Sequence, residues 1–521
     1  MTERNHMSTR REFMRMAGSG AMSLVALSGR KGSAVEAVAR RRRPNILFLM
    51  TDQHRWDCLG CVGNRVIKTP NLDRLAREGA LFPNAYSSTP TCTPARAALL
   101  TGLSPWHHGM LAYGNVAQRY HYEMPRALNG AGYYTFAIGK LHYSPQSNYH
   151  GFKGALIDES GRVQSPEFIS DYRKWFREQA PDLDPDATGI GWNDYRSGAY
   201  ALPEELHPTR WTGDRAVEFI TRYKRAESFL LKVSFARPHS PYDPPKRFWD
   251  MYEDSDMPAP YIGDWTANFR TPADKANHTL WYGDLGVKQA KHSRRGYYGS
   301  VSFIDEQIGR VLKALEDQSI LENTLILFTA DHGDMLGDHY HWRKSYPYEG
   351  SAAVPMIIRW PETMALATKR SAKVQQVTEL RDVLPTFLDV AHASAPVILD
   401  GGSMLDLLRG KTQGWRKCLD LEHGICYEKG NHWNALTDGR WKYIFSAYDG
   451  SQQLFDLRND PGELRDLATD RAHTKTLRSW RNRLVEHLSE RGEGFVNNGD
   501  LVLRPERMLY SPHYPKPPAE G

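Results

Sequence analysis

Cysteine is scarce in this chain, with five in 521 residues. That is too few for a small disulfide-built scaffold. Cys58 and Cys61 form a C-x-x-C, but no second pair stands at zinc-finger spacing, which argues against a structural zinc site. Cys418 and Cys426 could bridge in an oxidising compartment. Long apolar runs are also missing: the stretch 16–27 is short and rich in Gly and Ser, so no segment reads as a membrane span. A large charge of one sign is absent too. The formal charge is +6, and half of it comes from residues 1–39, where Arg4, Arg10, Arg11, Arg15, Arg30 and Lys31 outnumber Glu3, Glu12 and Glu36. The remainder is too small to point to nucleic acid, though it suits an anionic substrate. There are no internal repeats, and Arg40–Arg43 is the only low-complexity run. What is present, 40% apolar and 25% charged residues, describes a globular protein with room for one large domain and a smaller one.

Short apolar runs at 45–50, 134–138, 229–234, 324–329 and 354–359 read as strands buried on both faces, hence a largely parallel sheet. Segments of helical spacing lie between them, at 72–82, 124–131, 213–225, 297–317 and 380–391. The alternation predicts an α/β domain over 44–400, with a mostly parallel central sheet sandwiched by helices. After about residue 400 the texture changes. Residues 439–445 and 453–457 read as a hairpin and 472–491 as a helix, predicting a small C-terminal antiparallel-sheet subdomain over 401–521 that ends in a Pro/Tyr-rich tail.

In open α/β sheets, ligands bind beyond the carboxyl ends of the strands. Four strand ends deliver polar residues to that edge: Thr51-Asp52-Gln53-His54, Gly139-Lys140-Leu141-His142, Arg237-Pro238-His239 and Asp331-His332-Gly333-Asp334. Asp52, the Gln53 amide oxygen, Asp331 and His332 make an oxygen-rich set suited to calcium, whereas magnesium demands a tighter octahedron. A fifth segment, Cys92-Thr93-Pro94-Ala95-Arg96, combines a thiol, a helix-starting proline and a fixed cation. With Pro94 at the first helical position, Cys92 meets the free N–H groups and the positive end of the helix, while Arg96 one turn on offers a fork for a tetrahedral oxyanion. Sulfate or phosphate fits such a site.

The run from Cys92 to Gly102 resembles the signature of the sulfatases, whose core is Cys-x-Pro-x-Arg, and Leu454-Phe455-Asp456-Leu457 with Asn459-Asp460-Pro461-Gly462-Glu463 is similar to their C-terminal subdomain. The resemblance implies that Cys92 is oxidised to formylglycine by a formylglycine-generating enzyme, and that Asp52, Gln53, Cys92, Asp331 and His332 hold one divalent ion. Many members carry a second aspartate where this chain has Gln53, so its site is less negative. The resemblance further implies that the hydrated aldehyde at 92 attacks sulfur and gives its proton toward Asp331. Arg96 and the helix end would hold sulfate oxygens. His239 and Lys344 would bind the ester and protonate the departing alcohol, and His142 would draw a proton from the sulfated hydrate to expel sulfate. Lys140 beside His142 favours sulfate over phosphorus esters.

Plainer readings stand next to these roles. Lys344 is placed only by its spacing before 354–359 and could be a surface lysine; His107 and His108 could simply close the signature helix; Asp334, Asp338, His339 and His341 are pocket candidates or structural. Two rival functions remain: a phosphonate monoester or phosphodiester hydrolase of the same superfamily, and an inactive exported glycan-binding protein. Arg237-Pro238-His239-Ser240-Pro241-Tyr242 and Asp331-His332 look closest to sulfatases of sulfated sugars, such as the iduronate type, with 14 Trp and 26 Tyr available for stacking on sugar rings. At the N-terminus, Thr9-Arg10-Arg11-Glu12-Phe13-Met14-Arg15, the stretch 16–27 and a small-residue cleavage site near Ala37 or Ala39 resemble a twin-arginine export signal over 1–39, implying a periplasmic or secreted enzyme that carries its formylglycine before export.

Overall fold

The computed structural model describes residues 43–159, 162, 167–272, 274 and 276–515. The proposed export signal at 1–39 lies outside them.

Six strands build most of the main sheet: β1 (Asn45–Asp52), β2 (Tyr134–Gly139), β3 (Gly154–Ile157), β4 (Phe229–Pro238), β5 (Thr324–Ala330) and β6 (Met356–Arg359). Their spatial order is β3-β2-β4-β1-β5-β6, and two-residue strands at Ala80–Leu81 and Ala372–Lys373 complete the edge. β1 sits in the centre, parallel to β4 through Ile46 opposite Leu230 and to β5 through Ile46 opposite Leu325. Being buried on both faces, it needs no polar alternation and has none. Ile46, Phe48 and Met50 face one layer, Leu47 and Leu49 the other. The first layer holds α2 (Cys92–Thr101) and α5 (Val383–Val390); the second holds α1 (Pro70–Arg77), α3 (Pro208–Arg222) and α4 (Val287–Asp317). This is the α/β sandwich that the alternating runs predict.

Two expectations are corrected. The helix read over 72–82 stops at Arg77, and Ala80–Leu81 pairs with β6 as a strand. A Cβ on Gly79 would lie 2.2 Å from the Ile358 carbonyl oxygen, so the chain passes too close to β6 there for a helix to continue. The run at 354–359 gives a strand at Met356–Arg359, but it is antiparallel to β5.

The C-terminal part is a four-stranded antiparallel sheet of β7 (Leu419–His423), β8 (Trp433–Thr437), β9 (Trp441–Ser446) and β10 (Gln452–Asp456). One face packs on α6 (Thr474–Leu488) through Trp480, Leu484 and Leu488. The other docks Leu421, Ile444 and Phe455 against Met335, Tyr346 and Tyr348 of the loop that follows β5. The smaller sheet thus buttresses a loop leading away from the main sheet's carboxyl edge. All five cysteines are free thiols, so Cys418 and Cys426 are not bridged. Among the described residues no helix is long and apolar enough to cross a membrane.

Candidate functional site

Strand β1 delivers Asp52 fully buried at its end, and the chain then turns through Gln53 at φ 64°. Strand β2 ends at Gly139, φ 92°, where a Cβ would strike the Ser234 carbonyl oxygen at 2.1 Å; Lys140 and His142, φ 59°, follow. Such left-handed turns at non-glycine residues are costly and gather where geometry matters more than local stability. Strand β5 is followed at once by Asp331 and His332, both fully buried. All ten residues of α2 are buried, with Cys92 as its first residue and Thr91 as N-cap. Pro94 is therefore the third helical residue rather than the first. It is tolerated because the chain's first intrahelical bond there is Ala95 N–H to the Thr91 carbonyl, leaving residues 92–94 without helical acceptors in any case.

These four segments converge on one point with His239, just beyond β4, and Lys344, of the loop after β5. The Cys92 Sγ lies 3.2 Å from His332 Nε2, 3.5 Å from Lys344 Nζ and 3.8 Å from Asp52 Oδ1. Lys344 also donates to Gln53 Oε1 at 2.8 Å and to His239 Nε2 at 2.7 Å, so it is a buried component of the cluster and not a surface lysine. His239 Nδ1 in turn donates to the Ser240 carbonyl at 2.9 Å. Lys140 Nζ pairs with Asp52. His142 takes its position from its backbone N–H, which donates to Glu159 Oε1 at 2.8 Å, while its buried Nδ1 has no hydrogen bond.

Arg96 differs from the expectation of an oxyanion fork. Its guanidinium meets Asp331 at 2.9 Å, Asp52 at 3.4 Å and the Lys140 carbonyl at 2.7 Å. Its donors thus brace the two carboxylates and the chain beyond β2. The Gln53 side chain is fixed at both ends, donating through Nε2 to Asp334 Oδ2 at 2.5 Å and accepting from Lys344.

The electrostatics follow from burial opposed by charge. Burial raises the Asp52 carboxyl, but Lys140, His239, Lys344 and Arg96 together hold it well below the usual range. Burial and Asp52 push the Cys92 thiol up, and Lys344, Lys140 and His332 overcome them to bring it down. His142 and His239 are driven well below the ordinary imidazole value, by burial first and then by the neighbouring lysines, so both are neutral bases. His332 goes the other way, raised by Asp331 and Cys92 against burial.

Ligand atoms of Asp52, Cys92, Asp331 and His332 all lie within 4.8 Å of one another. The donor chemistry fits a divalent ion. Two carboxylates are already oriented by Arg96, and His332 Nδ1, 2.9 Å from the Gly333 carbonyl, leaves Nε2 turned toward the others.

The remaining sequence candidates fall outside this cluster. His107 meets Asp400 at 2.7 Å, and the Met110 N–H donates to His108 Nδ1 at 3.2 Å, at the end of the signature helix region. Asp338 pairs with Arg55 and Arg294, His339 packs on Trp265, and His341 on Phe269 and Tyr346. Asp334 anchors Gln53 and Tyr242 from behind. Sequence reasoning missed Trp192. Its ring stacks on His239 at 3.8 Å between centroids and lies under the Lys140 ammonium at 4.3 Å, covering two cluster members at once. Its only signal in the sequence is a lone tryptophan in a glycine-containing loop. Tyr113, whose hydroxyl is 3.5 Å from His142 Nε2, was missed likewise.

Residues 44–393 match the family model described as Sulfatase, and residues 337–490 match N-sulphoglucosamine sulphohydrolase, C-terminal. The chain belongs to the sulfatase family. This sulfatase is 39% identical over 473 residues to an arylsulfatase of Clostridium perfringens, covering 88% of this chain and 97% of that protein. It is 27% identical to human iduronate 2-sulfatase over 72% of this chain and 68% of the relative. Among solved structures it resembles the phosphonate monoester hydrolase of Agrobacterium radiobacter, with a TM-score of 0.74 at 25% identity over 89% of this chain and 100% of the other. It is thus an enzyme hydrolysing sulfate esters, a member of the alkaline phosphatase superfamily rather than an inert binding scaffold. The family implies a metal ion and a formylglycine made from the cysteine.

Proposed function

We propose that this sulfatase removes O-sulfate groups from carbohydrates, with formylglycine at position 92 as nucleophile and calcium held by Asp52, Gln53, Asp331 and His332. The observation that carries the reading is the convergence of Lys344, His332 and Asp52 on the Cys92 sulfur at the start of a buried helix. That sulfur stands where the oxygens of the hydrated aldehyde would be. When bound, a divalent cation would withdraw charge from the sulfate oxygens and favour the ionised nucleophile. The hydrate of the aldehyde supplies one hydroxyl to attack sulfur and a second whose deprotonation releases sulfate.

The chain's own residues do the rest. Asp331 accepts the proton of the attacking hydroxyl, and Lys140 and Lys344 hold the sulfate oxygens. The hydrogen-bonded Lys344–His239 pair gives the departing alcohol its proton. His142, held neutral by burial, is a base for the second hydroxyl. Arg96 keeps both carboxylates in place. Carbohydrate as substrate is supported by the match to the C-terminal region of an N-sulphoglucosamine sulphohydrolase and by likeness to iduronate 2-sulfatase. We further assign catalysis to 44–400 and a supporting role to 401–521, and propose maturation by a formylglycine-generating enzyme before export through the twin-arginine route to the periplasm or beyond.

Mass spectrometry across Cys92, with turnover of sulfated oligosaccharides before and after chelation, tests this directly. Formylglycine, glycan desulfation and recovery of activity on adding calcium are expected; a thiol-only enzyme that stays active, or full activity after chelation, overturns it. The likeness to phosphonate monoester hydrolases supports a second reading. Comparing nitrophenyl sulfate with nitrophenyl phosphonate decides between them: a kcat/KM larger by decades for the phosphorus ester would displace the sulfatase assignment.

A further inference from the structure

Eight arginines are buried among the described residues: Arg55, Arg96, Arg237, Arg294, Arg343, Arg359, Arg381 and Arg491. Seven have a carboxylate oxygen within 4 Å, which is how folded chains normally make a buried guanidinium tolerable. Arg343 is the exception. It is 8% exposed, forms no ion pair, and its Nε and Nη2 are buried without a hydrogen bond.

Its surroundings are those of the active centre. Lys344, the next residue, reaches Cys92, Gln53 and His239. The backbone is left-handed on both sides of Lys344, with φ of 69° at Arg343 and 78° at Ser345, a strained arrangement that persists only where the surroundings enforce it. The Arg343 N–H is tied to Asp334 Oδ1 at 3.1 Å. Its guanidinium lies over the Tyr427 ring at 5.2 Å, and Trp281 stacks on the same ring at 6.0 Å and 14°. Trp281 Nε1 is likewise buried without an acceptor. Burial and Cys426 raise the Tyr427 phenol to about 12, against the downward pull of Lys344, of Arg343 and of a side-chain hydrogen bond to Arg343. The two side chains packed on Tyr427 thus carry three buried donor atoms without acceptors, Nε and Nη2 of Arg343 and Nε1 of Trp281, and Arg343 is the chain neighbour of the lysine that touches the nucleophile position.

We propose that Arg343, with Trp281 Nε1, forms a subsite for a second anionic group of the substrate, a carboxylate or a further sulfate, separate from the sulfate being cleaved. The inference rests on the sulfatase reading and narrows it to polyanionic glycans. An oxyanion there would satisfy donors that are otherwise unmet, and the planar fork suits it better than a point charge would.

The test compares kcat/KM on three substrates: a neutral monosulfated sugar, the same sugar bearing a carboxylate, and the same sugar bearing a second sulfate. The wild-type enzyme is expected to favour one or both charged substrates by about ten- to a hundredfold, the usual worth of a charge-assisted hydrogen bond to a buried partner. Which arm responds identifies the group. Arg343→Gln is expected to collapse that ratio toward one, chiefly through KM, and Arg343→Lys to recover part of it. Product inhibition of the wild-type enzyme gives a readout that needs no variant: the desulfated anionic sugar is expected to inhibit about tenfold more strongly than the neutral one. A wild-type enzyme without preference, or a ratio unchanged in Arg343→Gln, overturns the subsite. Failure to cleave any sulfate ester would instead overturn the parent reading, so the two failures are distinguishable.

Discussion

Two groups of buried charges lie at the carboxyl edge of the same sheet, and they are built differently. In one, Arg55 and Arg294 meet Asp57 and Asp338. Arg55 binds Asp57 through two 2.8 Å bonds and Asp338 at 2.7 Å, and Arg294 binds Asp338 at 2.5 Å. Asp338 also accepts the Tyr261 N–H, and Arg55 gives its remaining bonds to the carbonyls of Asp334 and Met335. Two cations balance two carboxylates, and the bonds close on themselves. In the other, three cations, Arg96, Lys140 and Lys344, face two carboxylates, Asp52 and Asp331. Lys344 meets only a thiol, an amide oxygen and an imidazole, and the His142 Nδ1 has no hydrogen bond. Saturation marks a structural network; a surplus of buried positive charge marks a place suited to an anion.

The sharpest way to break this contrast is to mutate one member of each group. Cys92→Ala removes the nucleophile and leaves the surrounding charges paired as before. Sulfate-ester turnover is expected to fall by about 10⁴-fold or more, with the melting temperature close to that of wild type. Asp338→Ala does the reverse, stranding Arg55 and Arg294 without their shared carboxylate. Its expected effect is a loss of about 3–5 kcal/mol in stability, read by denaturant unfolding, with kcat per folded molecule within a few-fold of wild type. If Asp338→Ala removed activity as completely as Cys92→Ala while leaving stability intact, the division between the two networks would be wrong.

What the sequence made legible has a physical pattern. Asp52, Lys140, His142, His239, Asp331 and His332 can be read because each directly follows an apolar run, and a parallel sheet puts the ends of those runs on one edge. Cys92 and Arg96 are legible as a motif, but where the Arg96 fork points depends on two aspartates 44 and 235 residues away. Strand β7 escaped notice for another reason. Leu419-Asp420-Leu421-Glu422 does alternate, but over four residues only, and its polar positions are buried as well, Asp420 and Glu422 through ion pairs to Arg381 and Arg491, which the sequence pattern does not announce. Trp192 and Arg343 belong to irregular loops whose side-chain directions no periodicity encodes. The chemistry was therefore readable where secondary structure aims it, and unreadable where tertiary contacts do.

The gentlest probe of the contrast is pH, because burial acts on histidines in both regions alike. His423 in β7 links the smaller sheet to the Cys92 helix: its Nε2 lies 3.0 Å from the hydroxyl of Thr91, the N-cap of that helix, and its Nδ1 2.5 Å from the Gly424 carbonyl. Burial lowers it to about 4, against the Gly424 carbonyl's upward pull. A free histidine takes up its proton near 6.5. Between those values the unfolded chain binds a proton that the folded chain refuses, so the stability from His423 is complete above pH 6.5 and is lost as pH falls toward 4. Other buried groups titrate in the same window, and comparison with His423→Gln cancels them. The variant is expected to be about 1 kcal/mol less stable at pH 7.5; the gap should close at about pH 6 and then reverse, the variant gaining on wild type by about 1.4 kcal/mol for each further pH unit toward 4. A gap that stays constant from pH 7.5 to 4.5 would mean that this histidine takes up its proton as readily in the folded chain as in the unfolded one, and that burial between the two sheets does not hold it neutral as it holds His142 and His239 in the catalytic cluster.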